Sequence, residues 1–457
     1  MRKLRLSRRC FLRTGVACLT GAAVDSQPLF SSSADKGAQA VSRTSLKNLQ
    51  AIPTTCQQCP AGCGIVAYLN GDQCVQVLGN PDHPVNQGAI CAKGIAGLNR
   101  VYDPDRILFP LKRTGPRGEG EWTRITWDEA YQTLVARLDQ PLFSDGKPTA
   151  VFDIGQSNPL LSLLMERLGH LFVIQRQELK RMNLEWALKT ATGSERLIPD
   201  IRRSRTILNF GANPLAHHEL FLGLARRICQ AKTENGAKLY TFDVRMSETA
   251  VRSNAWFPVR SGTDGAVALA MADVILKKNL ADRDFLSGLT ETSLQNLKSL
   301  LSPFSLPETE KISGVSAAKI EEIAGIFASQ KPSVALAGGG VADHRNGVQN
   351  VRSVLLLNWL VGNLEKEGGL YFPRLPYHVA SSKDDFIRQN RLRGTNDLTG
   401  TDSGIDFYFS CFSNPAFEEV GCQNIIQYFR QEDQVRFLVV MDTHMTETAM
   451  LADLVLP

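Results

Sequence analysis

The chain has 457 residues, 43% of them hydrophobic and 21% charged, ordinary proportions for a globular protein with an ample core and about three domains. Its net charge of +5 comes from one end, because Arg2, Lys3, Arg5, Arg8, Arg9 and Arg13 precede residue 14 with no acid among them. The remainder is close to neutral, which excludes a chain held to nucleic acid or to an anionic membrane surface by charge.

The N-terminus reads Ser7-Arg8-Arg9-Cys10-Phe11-Leu12-Arg13 and runs into a weakly apolar stretch, 14–24. A basic segment ahead of a short apolar one is the pattern of a signal peptide. The paired arginines before Phe-Leu resemble the twin-arginine export signal. The stretch is shorter than the roughly 20 residues that a membrane span requires. Ala38-Gln39-Ala40 offers a small-residue cleavage site, so residues 1–40 are expected to be removed and the mature protein to be periplasmic.

Four cysteines follow, Cys56, Cys59, Cys63 and Cys91, spaced C-x2-C-x3-C-x27-C. A cubane iron–sulfur cluster needs four thiolates around one small box, and a tight loop of three plus a distant fourth supplies them. Gly62 and Gly64 let that loop curl, and Pro60 stiffens its turn. A structural zinc also takes four thiolates, but its usual signature has two C-x2-C pairs and the second is missing here. An oxidising compartment would favour disulfides. The twin-arginine route, however, resembles one used for proteins folded around their cofactors beforehand, so a cluster would be installed before export. The spacing reads as a 4Fe-4S site. Cys74, Cys229, Cys411 and Cys422 show no ligand spacing and read as ordinary buried thiols.

Beyond the cluster, strands and helices alternate. Thr206-Ile-Leu-Asn-Phe-Gly211 reads as a buried strand ending at a glycine, followed by an Asn213-Pro214 turn and a helical stretch to about Ala231. A second strand over 238–243 closes a βαβ unit. In such units ligands sit beyond the carboxyl ends of the strands, which places Gly211 for a phosphate and Asp243 for a ribose.

The unit occurs twice. Residues 243–258 align without a gap to residues 442–457, and six of the 16 positions are identical. Each copy follows an Asn-Pro turn, Asn213-Pro214 or Asn414-Pro415, with Asn-to-Asp spacings of 30 and 28. Such self-similarity implies two like halves, and two like halves suggest two like ligands. The first copy continues into the polar loop Gly262-Thr263-Asp264, whose backbone N–H groups and carboxylate suit a phosphate and a guanine. The second copy stops at Pro457 on an apolar strand, which suggests a fragment or a gene product shorter than its relatives.

The cysteine pattern continues as Ala92-Lys93-Gly94, then Tyr102-Asp-Pro-Asp-Arg-Ile-Leu108 and Pro110-Leu-Lys-Arg113. With the Gly-Thr-Asp loop and the doubled Asp segment, this resembles the prokaryotic molybdopterin oxidoreductases over about 48–457. These are the formate dehydrogenases, periplasmic nitrate reductases, and polysulfide, thiosulfate and arsenate reductases. The resemblance implies an α/β fold with a small 4Fe-4S domain at 48–112 and two pseudo-repeated Rossmann-like domains. The first nucleotide-binding domain would span 151–329, the second 113–150 and 330–457, and the family's C-terminal barrel would be missing.

The resemblance also implies the cofactors: a 4Fe-4S cluster and two molybdopterin guanine dinucleotides on one molybdenum or tungsten. Lys93 would lie between cluster and pterin in the electron path. Gly211, Asn213, Asp243, Arg245 and the loop Gly262, Thr263, Asp264 would serve one nucleotide. Asn414, Asp442, Thr443 and His444 would serve the other, and Gly339, in the turn after the strand at 334–337, would be a further cofactor-side residue. The family usually holds its metal through Cys, selenocysteine, Ser or Asp upstream of residue 206. The window 170–192 contains none of these, and Glu178 and Glu185 are the oxygen donors it offers. The implied function is a periplasmic large subunit performing two-electron redox on a small substrate, with a ferredoxin-like iron–sulfur partner and a membrane quinone-reactive subunit. The alternative is a molybdenum-free electron-transfer subunit of a respiratory complex.

Overall fold

A computed structural model describes residues 48–457 apart from Pro60, 141–142, 145–146, 156–158, 170, 176–178, 217–220, 374–390, 393 and 399–403. The expected signal segment and Glu178 lie outside the described residues.

An antiparallel meander opens the described chain: β1 (Gln50–Thr55), β2 (Gly64–Asn70) and β3 (Gln73–Gly79). Helix α1 (Ala92–Val101) begins at Cys91, its N-cap. Gly94 and Gly97 let α1 lie close to the cysteine loop. A Cβ on Gly94 would stand 2.8 Å from Ile90 and 3.7 Å from Cys56 Sγ, and one on Gly97 would meet the Gln58 side chain at 3.1 Å.

A hairpin of β4 (Leu111–Arg113) and β5 (Trp122–Arg124) follows, then α2 (Trp127–Leu138), which starts on a capping box between Thr126 and Glu129. The principal elements of the two large sheets and the helices that flank them follow. They are β6 (Ala150–Ile154), α3 (Pro159–Leu168), β7 (Phe172–Gln175), α4 (Leu179–Thr192), β8 (Thr206–Phe210), α5 (Phe221–Glu234), β9 (Lys238–Asp243) and β10 (Ala255–Pro258). Then come α6 (Asp264–Lys277), α7 (Ala317–Ser329), β11 (Ser333–Ala337), α8 (Gly347–Leu360), β12 (Arg391–Leu392), β13 (Phe407–Cys411), α9 (Cys422–Arg430), β14 (Leu438–Met441) and β15 (Leu454–Leu456). No helix among the described residues is long and apolar enough to cross a membrane.

Two parallel sheets organise these elements. The first has the order β10-β9-β8-β11 and the second β12-β7-β6-β13-β14-β15-β4-β5, antiparallel only within the β4-β5 hairpin and where it joins β15. Their central strands are near-continuous apolar runs, as strands covered on both faces must be. All five residues of β8 and of β13 are buried. Phe210 stacks on Phe242 at 4.7 Å, and Phe242 on Phe257 at 5.0 Å. Helix α6 is apolar nearly all round, with Val267, Leu269, Met271, Val274 and Ile275 buried in the first core.

The sheets divide the chain differently from the expected boundaries. Strands β6 and β7 join the second sheet, with Val151 opposite both Tyr408 and Phe172. Strand β11 joins the first, with Val334 opposite Ile207. The first half therefore runs from α4 to Leu370–Tyr371, which pairs with Ile198–Pro199. The reason is physical: every buried parallel strand is a similar apolar run, so local pattern says that a strand exists but not which sheet takes it.

Each sheet has one point where successive strands change direction of progression, between β8 and β11 in the first and between β6 and β13 in the second. Both points are backbone-tight. A Cβ on Gly339 would overlap the Gly211 carbonyl oxygen, and a Cβ on Gly155 would overlap that of Phe412. Gly211 has φ +56 and Phe412 φ +50.

Candidate cofactor site

The cysteine loop is closed by Cys56 N donating to Cys63 O at 2.8 Å. Gly62 takes φ +55 within it. Asn86, fully buried, fixes the loop's exit by bonding both Gly64 N and Gly64 O at 2.9 Å and the Ala89 carbonyl at 2.7 Å. Cys63 is buried, and its thiol is pushed up first by burial and then by Cys59, Cys56 and Cys91. Among the described residues no three His, Cys, Asp or Glu stand close enough for a single metal ion. All three other cysteines nevertheless lie close enough to disfavour a thiolate at Cys63 in this partly buried space. A cationic iron–sulfur core among the four would offset that effect, so the donor set fits a cluster.

This module contacts both halves. Lys93, exposed on α1, places Nζ 5.2 Å from the centre of the Phe221 ring at the start of α5. Gly223 of α5 accommodates Val85, and Arg226 Nη1 donates to Gln87 O at 2.8 Å. Toward the second half, Arg100 Nη2 donates to Thr443 Oγ1 at 3.0 Å and Ile107 N to Thr443 O at 2.8 Å. His444 Nε2 lies 3.4 Å from Asp103 Oδ2 and His444 Nδ1 3.0 Å from Thr443 Oγ1. The side chains of Thr443 and His444 thus join the cluster module to the second sheet.

At the end of β8, Asn213 takes φ +43 and spends its side chain internally. Its Oδ1 accepts from Thr249 Oγ1 at 2.7 Å, its Nδ2 donates to Glu248 Oε2 at 3.2 Å, and Leu215 N donates to Thr249 Oγ1 at 3.2 Å. The second half repeats this clasp. Asn414 Oδ1 accepts from Thr448 Oγ1 at 2.8 Å, Asn414 Nδ2 donates to Glu447 Oε2 at 2.6 Å, and Ala416 N donates to Thr448 Oγ1 at 3.1 Å. Both asparagines shape these turns through their side chains.

Asp243 is 9% exposed and accepts from Ser247 Oγ at 2.8 Å, while Arg245 pairs with Glu248 at 3.7 Å. Thr263 donates through Oγ1 to Arg260 O at 2.6 Å, opening α6, and Gly262 has φ +79. Asp264, only 4% exposed, is pushed up to about 6, first by burial and also by the Asp243 carboxylate, against the pull of its own backbone amide. Two carboxylates thus share the end of the first sheet with no cation bound to Asp264 among the described contacts, a donor-seeking arrangement that fits the N–H and O–H groups of a purine nucleoside. Asp442 accepts from Thr443 N at 2.6 Å.

Residues with no local motif complete the site. His344 Nε2 lies 3.2 Å from Ser261 Oγ, and Asn346 Nδ2 donates to Gly262 O at 3.0 Å. They follow the Gly338-Gly339-Gly340 turn, and only the pairing of β11 beside β8 brings them to the 262–264 loop. The glycine turn was the one sequence signal pointing to them. In the window expected to hold a metal ligand, Glu185 is engaged by Arg181 Nε at 2.9 Å.

The chain is 29% identical over 422 residues to the probable oxidoreductase YoaE of Bacillus subtilis, covering 87% of this chain and 60% of that protein. It is 29% identical over 378 residues to the thiosulfate reductase molybdopterin-containing subunit PhsA of Salmonella typhimurium, covering 80% and 48%. The chain thus spans about half to three-fifths of the length of these relatives. Among solved structures, acetylene hydratase from Pelobacter acetylenicus superposes with a TM-score of 0.74 at 22% identity, over 89% of this chain and 62% of that one, which shows the shared fold. Residues 49–103 match the molybdopterin oxidoreductase Fe4S4 domain and residues 106–457 the molybdopterin oxidoreductase family proper, and the chain belongs to that family.

Proposed function

We propose that this chain acts in the large subunit of a periplasmic oxidoreductase that exchanges two electrons with a small substrate. It is exported by the twin-arginine route and attached to the membrane through a ferredoxin-like iron–sulfur subunit and a quinone-reactive subunit. When bound, a molybdenum or tungsten centre on two molybdopterin guanine dinucleotides supplies the two-electron exchange, and a 4Fe-4S cluster supplies one-electron transfer. The observation that carries this reading is the doubled strand-end clasp, Asn213–Thr249 and Asn414–Thr448, with one four-cysteine module touching both halves.

Each residue has a task in this reading. Cys56, Cys59, Cys63 and Cys91 hold the cluster. Lys93 sets a positive charge beside it, toward the first half. Gly211 and Gly339 let a phosphate approach the backbone, and Asp243 and Asp264 accept from ribose hydroxyls and guanine N–H groups. Arg245 and Thr263 border that site, and Asp442 takes the corresponding place in the second half.

A second reading, a molybdenum-free electron-transfer subunit, has one observation in its favour: Glu185 is already committed to Arg181. Elemental and nucleotide analysis of the purified protein separates the two. Iron with molybdenum or tungsten and two guanines per chain supports the enzyme, and iron with neither metal supports the relay. Iron absent altogether sinks both.

A further inference from the structure

We propose that Phe412 is a cofactor-contacting residue, its ring packing against a planar heteroaromatic ring of the dinucleotide at the second sheet. The inference rests on the two-dinucleotide reading above and adds a residue that breaks the symmetry between the two sites.

Phe412 sits directly after β13, at the direction-change point of the second sheet, where ligands of open parallel sheets bind. Its counterpart at the first sheet's point is Gly211. The correspondence is structural: Gly211 N donates to Phe242 O at 3.0 Å, and Phe412 N donates to Met441 O at 3.0 Å. Glycine tolerates φ +56 without strain, whereas an aromatic residue at φ +50 does not. Glycine thus meets the geometric need in one half, and the other half carries a strained phenylalanine in its place.

The surroundings enforce that strain. Gly155 N donates to Cys411 O at 2.9 Å, and the Gly155 backbone abuts the Phe412 carbonyl. Ser413 Oγ donates to buried Asp153 Oδ1 at 2.8 Å, and Ser413 O accepts from Ser410 Oγ at 2.8 Å. Between buried Cys411 and buried Ser413, Phe412 remains 41% exposed. Its ring therefore contributes little to the core. A strained, over-determined backbone that displays an aromatic ring at a ligand crevice is the pattern of a binding residue. Aromatic faces recognise flat heterocycles by stacking.

The test uses the full chain purified from cells that make the pterin cofactor, with acid-released guanine counted per chain and melting measured on cofactor-free protein. For Phe412→Gly, guanine should fall by about half, one of two like sites being lost, while the cofactor-free protein melts no lower than wild type because strain has been released. Phe412→Trp should keep the wild-type guanine content. Unchanged guanine in Phe412→Gly overturns the assignment, and so does guanine loss accompanied by a lower melting temperature, which would mark a structural residue. Wild-type protein without guanine overturns the two-dinucleotide reading and this inference with it.

Discussion

Thr249 and Thr448 occupy equivalent places in two different sheets, and each hydroxyl is fully buried between an asparagine carbonyl and a backbone amide two residues beyond that asparagine. Thr249→Val and Thr448→Val keep the shape and remove the hydroxyl, leaving the Asn oxygen and the amide without that partner. Each should lower unfolding free energy by about 1–3 kcal/mol. The effects should add in the double variant, since the sites share no partner. Denaturant titration checks both. A strongly non-additive pair would show that the halves communicate through these turns.

Asp264 gives the cofactor-free protein a signed pH dependence. Its folded pKa, about 6, lies above the ordinary carboxylate value, so the native state holds the proton more tightly than the unfolded chain. Stability therefore falls as pH rises from about 4 to 6 and levels off above. Asp264→Asn should remove that slope and be more stable at neutral pH by an amount on the order of 2–3 kcal/mol. Nucleotide N–H donors reward the charged form, so wild-type protein should retain guanine better above pH 6 than below it, and the variant should not discriminate. Melting and guanine content across pH 4–8 measure the two effects.

Cluster loading should be sensitive to one added methyl group. Gly94→Ala places a Cβ 2.8 Å from the Ile90 side chain, next to Cys91, and in contact with Cys56 Sγ, so the packing around two of the four thiols must shift. Iron content should drop severalfold while far-ultraviolet circular dichroism stays at the wild-type level, because both large sheets lie elsewhere. Cys59→Ala should abolish the paramagnetic signal of the reduced cluster. Full iron in Cys59→Ala would contradict the four-thiol assignment, and full iron in Gly94→Ala would show that the site tolerates the methyl group.

The chain's two copies of one segment differ where charge is concerned. Asn254 Oδ1 accepts from Leu239 N at 2.9 Å, and Asp453 Oδ2 accepts from Leu438 N at 2.8 Å. The aspartate is also gripped by Arg117 and by Arg113, and Arg117 donates to Phe429 O at 2.7 Å. Arg117→Met removes one partner of a buried pair and should destabilise by about 3–5 kcal/mol. Adding Asp453→Asn, the first half's own solution, should recover a large part of that loss. Equilibrium unfolding of the single and double variants decides it.

Much of this site is legible in the chain because its chemistry is local. The cysteine loop, the Asn-Pro turns and the repeated Asp-to-Pro segments each declare themselves over short windows, and β8 and β9 fall where alternation and glycine put them. What is not legible depends on assembly. The family resemblance assigns Thr443 and His444 to a nucleotide, but no local pattern announces that Arg100 and Asp103 also reach their side chains. The clasp partners of the two asparagines lie some 35 residues away, beyond any local window. Aligning the two Asn-Pro turns sets Gly211 opposite Phe412, but that both stand at sheet crevices with positive φ appears only in the fold.

The interleaved pairing of the sheets has a consequence for how the protein is made. Asp153 and Tyr408, hydrogen-bonded at 2.8 Å in neighbouring strands, are 255 residues apart in the chain. On the ribosome β6 emerges long before β13, and the whole of the first half can complete itself in between. For that interval an apolar strand waits with no partner on one edge, the condition under which nascent chains aggregate. Assembly of the second sheet must therefore come late, after the first half has folded out of its middle. Emergence of β13 from the ribosome or release by a holding chaperone, rather than collapse of the first core, should set the time at which the second crevice first exists.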